Sequence, residues 1–177
     1  MVVSPMTKRQ IRADFVTTSF RAVGEAQVGR LGFNGLLNDD NSLVEVYNVR
    51  MSRTHQPTKL VDSYDALSLV KKEIIAVCIT RIEDIGPHTL GRPGYSISDY
   101  PVWLTTGAYE ILGTLQWSGP FDFSAIMGES VGTFVPLYDT ILTHTLIPGI
   151  SIESPVSILN RHFIASLAMI KERQKRE

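Results

Sequence analysis

Cysteine is almost absent from this sequence. The 177 residues include a single cysteine, Cys78, which excludes an internal disulfide framework and a zinc site built on cysteines. No apolar run approaches the ~20 residues that a membrane-spanning helix needs, and the first residues do not have the pattern of a signal peptide. We therefore expect a soluble cytoplasmic protein without a membrane span.

An excess of charge of either sign is also lacking. The 17 lysines and arginines nearly balance the 18 aspartates and glutamates, so the chain lacks the basic character of most nucleic-acid binders. Hydrophobic residues make up 44% of the chain, which is a globular share and excludes a disordered protein. Basic residues gather near both ends, including the C-terminal tail 171–177, and solvated ends are the simplest interpretation.

The chain contains an internal repeat. Gly24 and Gly113 end similar segments 89 residues apart, and the order of apolar residues continues at offsets of 89 to 91. We infer a duplication, with a first β unit over 1–84, a connector rich in proline and glycine over 85–100, and a second β unit with a basic tail over 101–177. The corresponding segments are 15–24 with 103–113, 33–39 with 123–129, 43–48 with 134–139, and 68–75 with 157–164.

Each unit is predicted to be mainly antiparallel β-structure with little helix. Alternation of apolar and polar residues over 103–117 predicts one long first strand in the second unit. Gly24 and Gly113 predict a bend or a close backbone approach in the first strand of each unit. The other expected elements are helical turns over 33–37 and 121–127, strands over 43–51 and 134–145, and closing hairpins with two-residue turns at Lys71-Lys72 and Asn160-Arg161.

Two resemblances accompany this pattern. A strand that ends in glycine is followed by segment 31–38 (Leu-x-Phe-x-x-Leu-Leu-Asn), and segments 123–128 and 159–164 continue the same order in the second unit. This order resembles a bacterial family of small β domains of unknown function, here tandemly duplicated. A fainter resemblance, through 121–123 (Phe-Asp-Phe) and the Asn160-Arg161 turn, is to Sm-like barrels. It implies barrel-like units and RNA binding, although His162 replaces the glycine of that turn.

Motifs with catalytic or metal-binding patterns lack the context that their chemistry needs. Segment 128–132 reads Gly-Glu-Ser-Val-Gly, as in a hydrolase nucleophile elbow, but an apolar turn precedes it and a strand follows. The loop 39–41 (Asp-Asp-Asn) lacks the spacing of a calcium loop and predicts a solvated turn. Zinc-ligand spacing is absent from the histidines, and His144 is expected to be exposed on a strand. We therefore predict no enzyme, no cofactor and no metal site; the histidines are His55, His88, His144 and His162.

Aromatic residues around a Gly-Pro turn form the candidate protein interface. Trp117, Phe121 and Phe123 flank this turn, and exposed aromatic residues are favoured at interfaces. Small β units also leave strand edges that must be covered, and self-association is a common way to cover them. The leading hypothesis is a non-enzymatic interaction or scaffold protein whose partner is another protein or a second copy of itself in a homo-oligomer.

The runner-up hypothesis is an Sm-like protein that binds single-stranded RNA. In that case Phe123, Asn160 and Arg161 are the candidate nucleic-acid contacts, because RNA-binding sites combine aromatic stacking with hydrogen bonds and positive charge. A third alternative is a small-ligand pocket between the two units, lined by the aromatic residues Tyr47, Tyr138 and Trp117.

Overall fold

The computed structural model describes residues 8–128 and 132–171. Strands make up most of this part of the chain, and its two α-helices, α1 (Gly32–Asn38) and α2 (Phe123–Met127), are short. The strands are β1 (Arg9–Thr17), β2 (Phe20–Val28), β3 (Leu43–Arg53), β4 (Gln56–Val70), β5 (Ile74–Ile79), β6 (Ile97–Thr105), β7 (Tyr109–Ser118), β8 (Phe134–His144), β9 (Ser151–Asn160) and β10 (Ser166–Met169).

All ten strands belong to one open antiparallel sheet. Its order is β10-β6-β7-β8-β9-β5-β1-β2-β3-β4. The strands of the first half therefore lie in the order β5-β1-β2-β3-β4, and those of the second half lie in the order β10-β6-β7-β8-β9. The halves join where β5 pairs with β9, and the outermost strands are β4 and β10. The predicted mainly β fold with little helix is confirmed.

Strand β5 lies at the centre because both of its faces are apolar. Its sequence, Ile-Ile-Ala-Val-Cys-Ile, is buried at every position. Ile74, Val77 and Ile79 pack in the core of the first half, which also takes in Phe134 from β8. Ile75, Ala76 and Cys78 pack in the core of the second half. A strand that is covered on both faces has no need of polar alternation, and this run has none.

The two predicted closing hairpins are wrong. The 3-10 turns Lys71–Glu73 and Arg161–Phe163 replace the expected two-residue turns. The strands on either side of each turn pair elsewhere: β4 pairs with β3, whereas β5 pairs with β1 and β9. A two-residue hairpin turn needs residues with positive φ. None of residues 70–74 or 160–164 has a positive φ, and a 3-10 turn instead directs each strand away from the preceding one.

The predicted single strand over 103–117 is also wrong, because it is the hairpin of β6 and β7. The chain reverses at Thr106, whose hydroxyl accepts a hydrogen bond from the Tyr109 amide at 2.9 Å. At the corresponding place in the first half, the Thr17 hydroxyl accepts from the Phe20 amide at 3.1 Å. A threonine that bonds to the backbone within a turn gives the chain an alternative to continued strand.

The predicted close backbone approach is confirmed at both glycines. The register of β2 against β3 shifts around Gly24, and a Cβ there would lie 2.7 Å from the Tyr47 carbonyl oxygen. The register of β7 against β8 shifts around Gly113, where a Cβ would lie 3.0 Å from Cγ2 of Thr140 and 3.2 Å from the Tyr138 carbonyl oxygen. The strand facing each bulge carries one non-glycine residue with a positive φ: Asn48 at 52° and Asp139 at 49°.

Candidate functional site

The junction between the halves is an antiparallel strand pair that polar side chains close at both ends. The register runs from Ala76 opposite Leu159 to Ile79 opposite Val156. At one end, the Asn160 amide donates to the Ile74 carbonyl at 3.0 Å. At the other end, the Ser154 hydroxyl donates to the Ile79 carbonyl at 2.9 Å. These side-chain hydrogen bonds to β5 carbonyls add to the backbone hydrogen bonds between the two strands, and they fix the register of the junction.

A second contact across the halves comes from Asn38 at the end of α1. Its amide oxygen accepts from the Phe134 amide at 2.9 Å, and its amide nitrogen donates to the Phe134 carbonyl at 3.1 Å. The side chain thus bonds both backbone groups of one residue, as a neighbouring strand would. This places α1 against the start of β8, beside the junction.

The outermost strands β4 and β10 contrast with the junction. Within the described part of the chain, β4 pairs on one side with β3, and β10 pairs on one side with β6. Of the 15 residues of β4, only three are even partly covered, whereas β5 is buried throughout. A long exposed edge presents backbone donors and acceptors to any chain that can add a strand. The large apolar residues exposed on these two strands are Leu60, Val61, Tyr64, Val70 and Met169.

A cleft of about 800 Å³ opens beside the junction, where the loops of the two halves meet. Lys72 stands at this cleft with its side chain 81% exposed, and the exposed His162 lies on the side of the second half. Lys72 brings a positive charge to the cleft, with the exposed Glu73 carboxylate 4.0 Å from its ammonium group. The lining residues are Leu37, Asp39, Asn41, Ser42, Leu43, Val70, Lys71, Lys72, Thr133, Phe134, Asn160 and His162.

A buried basic side chain begins each 3-10 turn. Lys71 donates to the Asp39 carboxylate at 2.5 Å, just after α1. Arg161 donates to the carbonyls of Met127, at the end of α2, and Gly132, at 2.5 and 2.7 Å. Both side chains therefore hold the loop that follows the short helix of their half, and neither is free for an external anion.

The loop after α1 is acidic and locally ordered. The Asn41 amide donates to the Asp39 carboxylate at 2.9 Å, so the predicted turn is confirmed. Partial burial alone would raise the pKa of Asp39, but hydrogen bonds from Lys71 and Asn41 outweigh it and hold the pKa below its ordinary value of 3.8. The Asp39 carboxylate is thus ionised when it bonds Lys71.

The candidate interface residues differ in exposure. Trp117 is 2% exposed, and its indole donates to the Pro120 carbonyl at 3.1 Å, so its expected exposure is wrong. Its ring fills the core of the second half. Phe121 is half-buried against Tyr100, with ring centroids 5.3 Å apart. Phe123, which begins α2, is 45% exposed, so it is the member of this trio that offers a partner the most surface.

The candidate RNA contacts lie on two elements of the second half, α2 and the end of β9 with the turn that follows it. Asn160 is 1% exposed, and its side chain bonds the Ile74 carbonyl and the His162 amide. Arg161 reaches the end of α2, the helix that Phe123 begins. The structure therefore brings these elements to one region, but the polar groups of Asn160 and Arg161 bond the backbone.

Motifs with catalytic or metal-binding patterns give no assembled centre in the described residues. Glu129, Ser130 and Val131 of the elbow-like segment lie outside the described residues. His144 is buried, not exposed as predicted, because it packs edge-on against Tyr109 with ring centroids 5.5 Å apart. Over 8–128 and 132–171, no cluster of three or more His, Cys, Asp or Glu side chains could hold a metal ion.

Sequence reasoning missed a partly buried ion pair between Asp14 and Arg21. Arg21 Nε donates to Asp14 Oδ2 at 2.6 Å, while the other Asp14 oxygen has no hydrogen-bond partner among the described residues. Burial raises the pKa of Asp14 in spite of this ion pair, and burial raises the pKa of the neighbouring Cys78 thiol to about 12. The opposite charges lie diagonally across the hairpin of β1 and β2, so a correct hairpin register could have paired them.

Comparisons with protein-family models, curated proteins and solved structures find no match to this chain. Among the residues that the structure describes, no helix has the length and apolar character to cross a membrane.

Proposed function

We propose that this chain is a non-enzymatic protein that associates with copies of itself through the edges of its sheet, and that its halves are duplicated Sm-like units. The observation that carries the self-association is the pair of exposed outer strands, β4 and β10. Exposed edges of this length are normally covered or blunted in stable proteins, and pairing with another copy covers them.

Repeated hydrogen bonds support the duplication. The Lys71 amide donates to the Ser42 carbonyl, and the Arg161 amide donates to the Thr133 carbonyl, both at 2.9 Å. The two halves also share their strand order, their threonine turns after β1 and β6, and their glycine bulges. Such irregular details are unlike a general property of antiparallel sheets, so a common ancestor for the halves explains them better than convergence does.

The mass of the protein in solution tests self-association. We expect light scattering after gel filtration to give a multiple of the 19.7 kDa chain, with an absorbance ratio at 260 and 280 nm typical of pure protein. A mass of one chain over a range of concentrations would contradict the proposal. Dilution provides the control, because a specific oligomer keeps its stoichiometry or dissociates in one defined step, whereas an aggregate has no defined mass.

The cleft beside the junction favours binding of single-stranded RNA as a second candidate function. Lys72 and His162 stand at the cleft, and exposed Phe123 lies on the helix that Arg161 anchors. This activity predicts retardation of a labelled oligonucleotide that weakens as salt rises.

Surface variants test this second function without disturbing the buried anchors. Lys72→Ala and Phe123→Ala should each weaken RNA binding, whereas Lys59→Ala, a change of an exposed lysine on β4, should not. Absence of retardation at low salt would dismiss RNA binding. A raised 260 nm absorbance that nuclease removes would instead rank it above self-association.

A further inference from the structure

The junction inside the chain specifies how one copy can join another. It pairs β9, the strand before the second 3-10 turn, with β5, the strand after the first. The corresponding strands of the opposite halves are β4 and β10, which are the two outer strands of the sheet. We propose that β10 of one copy pairs antiparallel with β4 of a second copy, in the register that joins β5 to β9. This pairing rests on the proposed self-association, because it specifies the strands that meet.

The register follows from equivalent positions in the two halves. Ala76 pairs with Val16, which precedes the turn threonine Thr17. Ser166 pairs with Thr105, which precedes the turn threonine Thr106. Ala76 and Ser166 are therefore equivalent. Leu43, which begins β3, pairs with Val70, and Phe134, which begins β8, pairs with Asn160. Transfer of the β5–β9 register then places Ser166 opposite Leu69, Leu167 opposite Ser68, Ala168 opposite Leu67 and Met169 opposite Ala66.

Burial at equivalent positions shows what this pairing would cover. Ile79 on β5 is 1% exposed, whereas Met169, its equivalent on β10, is 56% exposed. Val156 on β9 is fully buried, whereas its equivalent on β4, Ala66, is exposed. Equivalent strands are thus buried at the junction and exposed at the ends of the sheet, and a second copy would supply the missing cover.

The distribution of charge on β4 supports the same segment. Lys59, Asp62 and Asp65 lie in its first two thirds, but residues 66–70 (Ala-Leu-Ser-Leu-Val) carry no charge. Charged residues protect an edge strand from unwanted pairing. The unprotected segment 66–70 contains all four positions that the transferred register places opposite β10, and the charged segment lies beyond the end of that strand.

Charge also disfavours full-length pairing of β4 with a second β4. Pairing of β4 with β4 about a twofold axis near residues 63 and 64 would set Asp62 opposite Asp65 twice, and facing like charges destabilise strand pairs. Continued two residues beyond Met169, the register with β10 instead sets the exposed Lys171 opposite Tyr64 and diagonal to Asp62 on the same face. This contact between unlike strands is heterologous, so repetition produces a closed ring or an open filament.

Disulfide trapping in the full-length protein tests the register. Ala66→Cys and Met169→Cys are made in separate chains, because residues directly opposite in an antiparallel pair lie within the Cα separation that a disulfide spans. Native Cys78 is buried with a thiol pKa of about 12, so it does not compete under mild oxidation. We expect covalent dimers when the two variants are mixed and only single chains when either is oxidised alone.

A matched control and the mass of the protein separate the outcomes. Ser166→Cys mixed with Ala66→Cys is out of register by three residues and should give few dimers. Equal trapping of this control, or dimers from Ala66→Cys alone, would overturn the proposed pairing. Failure to trap dimers from a protein whose mass is a multiple of one chain would overturn the pairing and leave self-association standing. A mass of one chain would overturn both.

Discussion

Removal of the Asn160 side-chain amide should destabilise the junction strongly. In Asn160→Ala, the Ile74 carbonyl loses its donor at 3.0 Å, and the His162 amide loses its acceptor at 3.1 Å. Ile74 is fully buried, and a buried acceptor left without its partner costs about 1–3 kcal/mol. His162 is exposed, so water can replace its acceptor, and that loss costs about 0.5–1.5 kcal/mol. The expected decrease in the free energy of unfolding is about 2–4 kcal/mol.

Val70→Ala is the matched control for this change. Val70 occupies the equivalent place on β4, opposite the first residue of β3, but its side chain is 38% exposed and lies on an outer edge. Its truncation should cost less than about 1 kcal/mol, as changes at surface positions usually do. For a chain of this size, about 3 kcal/mol lowers Tm by about 6–12 °C, which circular dichroism resolves easily when both variants are measured at one protein concentration.

Asn160→Asp separates the two hydrogen bonds. The carboxylate keeps an acceptor for the His162 amide but cannot donate to the Ile74 carbonyl, so it should be at least as damaging as alanine. If Asn160→Ala unfolds with the same Tm as Val70→Ala, the side-chain amide does not stabilise the junction, and the inference that Asn160 serves the fold is wrong.

Three further predictions follow from local geometry. Gly24→Ala should lower the urea midpoint more than Gly113→Ala, because its Cβ would lie 2.7 Å from a backbone oxygen rather than 3.0 Å from a side-chain methyl; equal midpoints would contradict this. The lowered pKa of Asp39 adds stability that is present above its ordinary value of 3.8 and is lost as pH falls through the lower, folded-state value. Urea titrations at several pH values should therefore show a shallower acid loss for Asp39→Asn, and parallel curves would refute the role of the Lys71 contact. Cys78, with its thiol pKa of about 12, should resist a thiol reagent near pH 8 until urea unfolds the chain, and rapid labelling of the native protein would show that the thiol is accessible.

Features decided by local sequence could be predicted. The short helices fall at apolar clusters, and β3 and β8 fall where β-branched and aromatic residues concentrate. Gly24 and Gly113 mark bulges, and at Gly24 only a residue without Cβ permits the adjacent backbone to approach so closely. These features depend on a few neighbouring residues, and the sequence displays those residues directly.

Strand partners depended on contacts that the local pattern does not contain. The segment after Lys71–Glu73 has the spacing of a hairpin return strand, yet β5 pairs with β1, some 60 residues earlier, and with β9, some 80 residues later. All six β5 residues are buried because the core of each half covers one face of the strand. A hairpin with β4 would instead place β5 at the outer edge of the sheet. Long-range burial therefore outweighed the proximity of β4 along the chain.

Side-chain exposure was misjudged for the same reason. Trp117 lies next to a Gly-Pro turn and His144 lies on a strand between two threonines, so exposure was expected for both. Instead, Trp117 fills the core of the second half and His144 packs on Tyr109. Each ring is buried by residues that are distant in sequence or on another strand. Neither a nearby turn nor polar neighbours on a strand determine whether distant residues bury a ring.

The equivalent residues of β4 and β9 differ in a way that fits their positions in the sheet. At the junction, Asn160 and Ser154 donate to β5 carbonyls, whereas Val70 and Tyr64 take the equivalent places on β4 and are 38% and 42% exposed. A permanent join inside one chain can bury polar groups that fix its register, because their partners are always present. An edge that must exist both free and paired can use apolar groups instead, since these require no hydrogen-bond partner in a fixed position when a second copy binds. The difference between these strands is therefore what we expect of one join closed within the chain and a second made between copies.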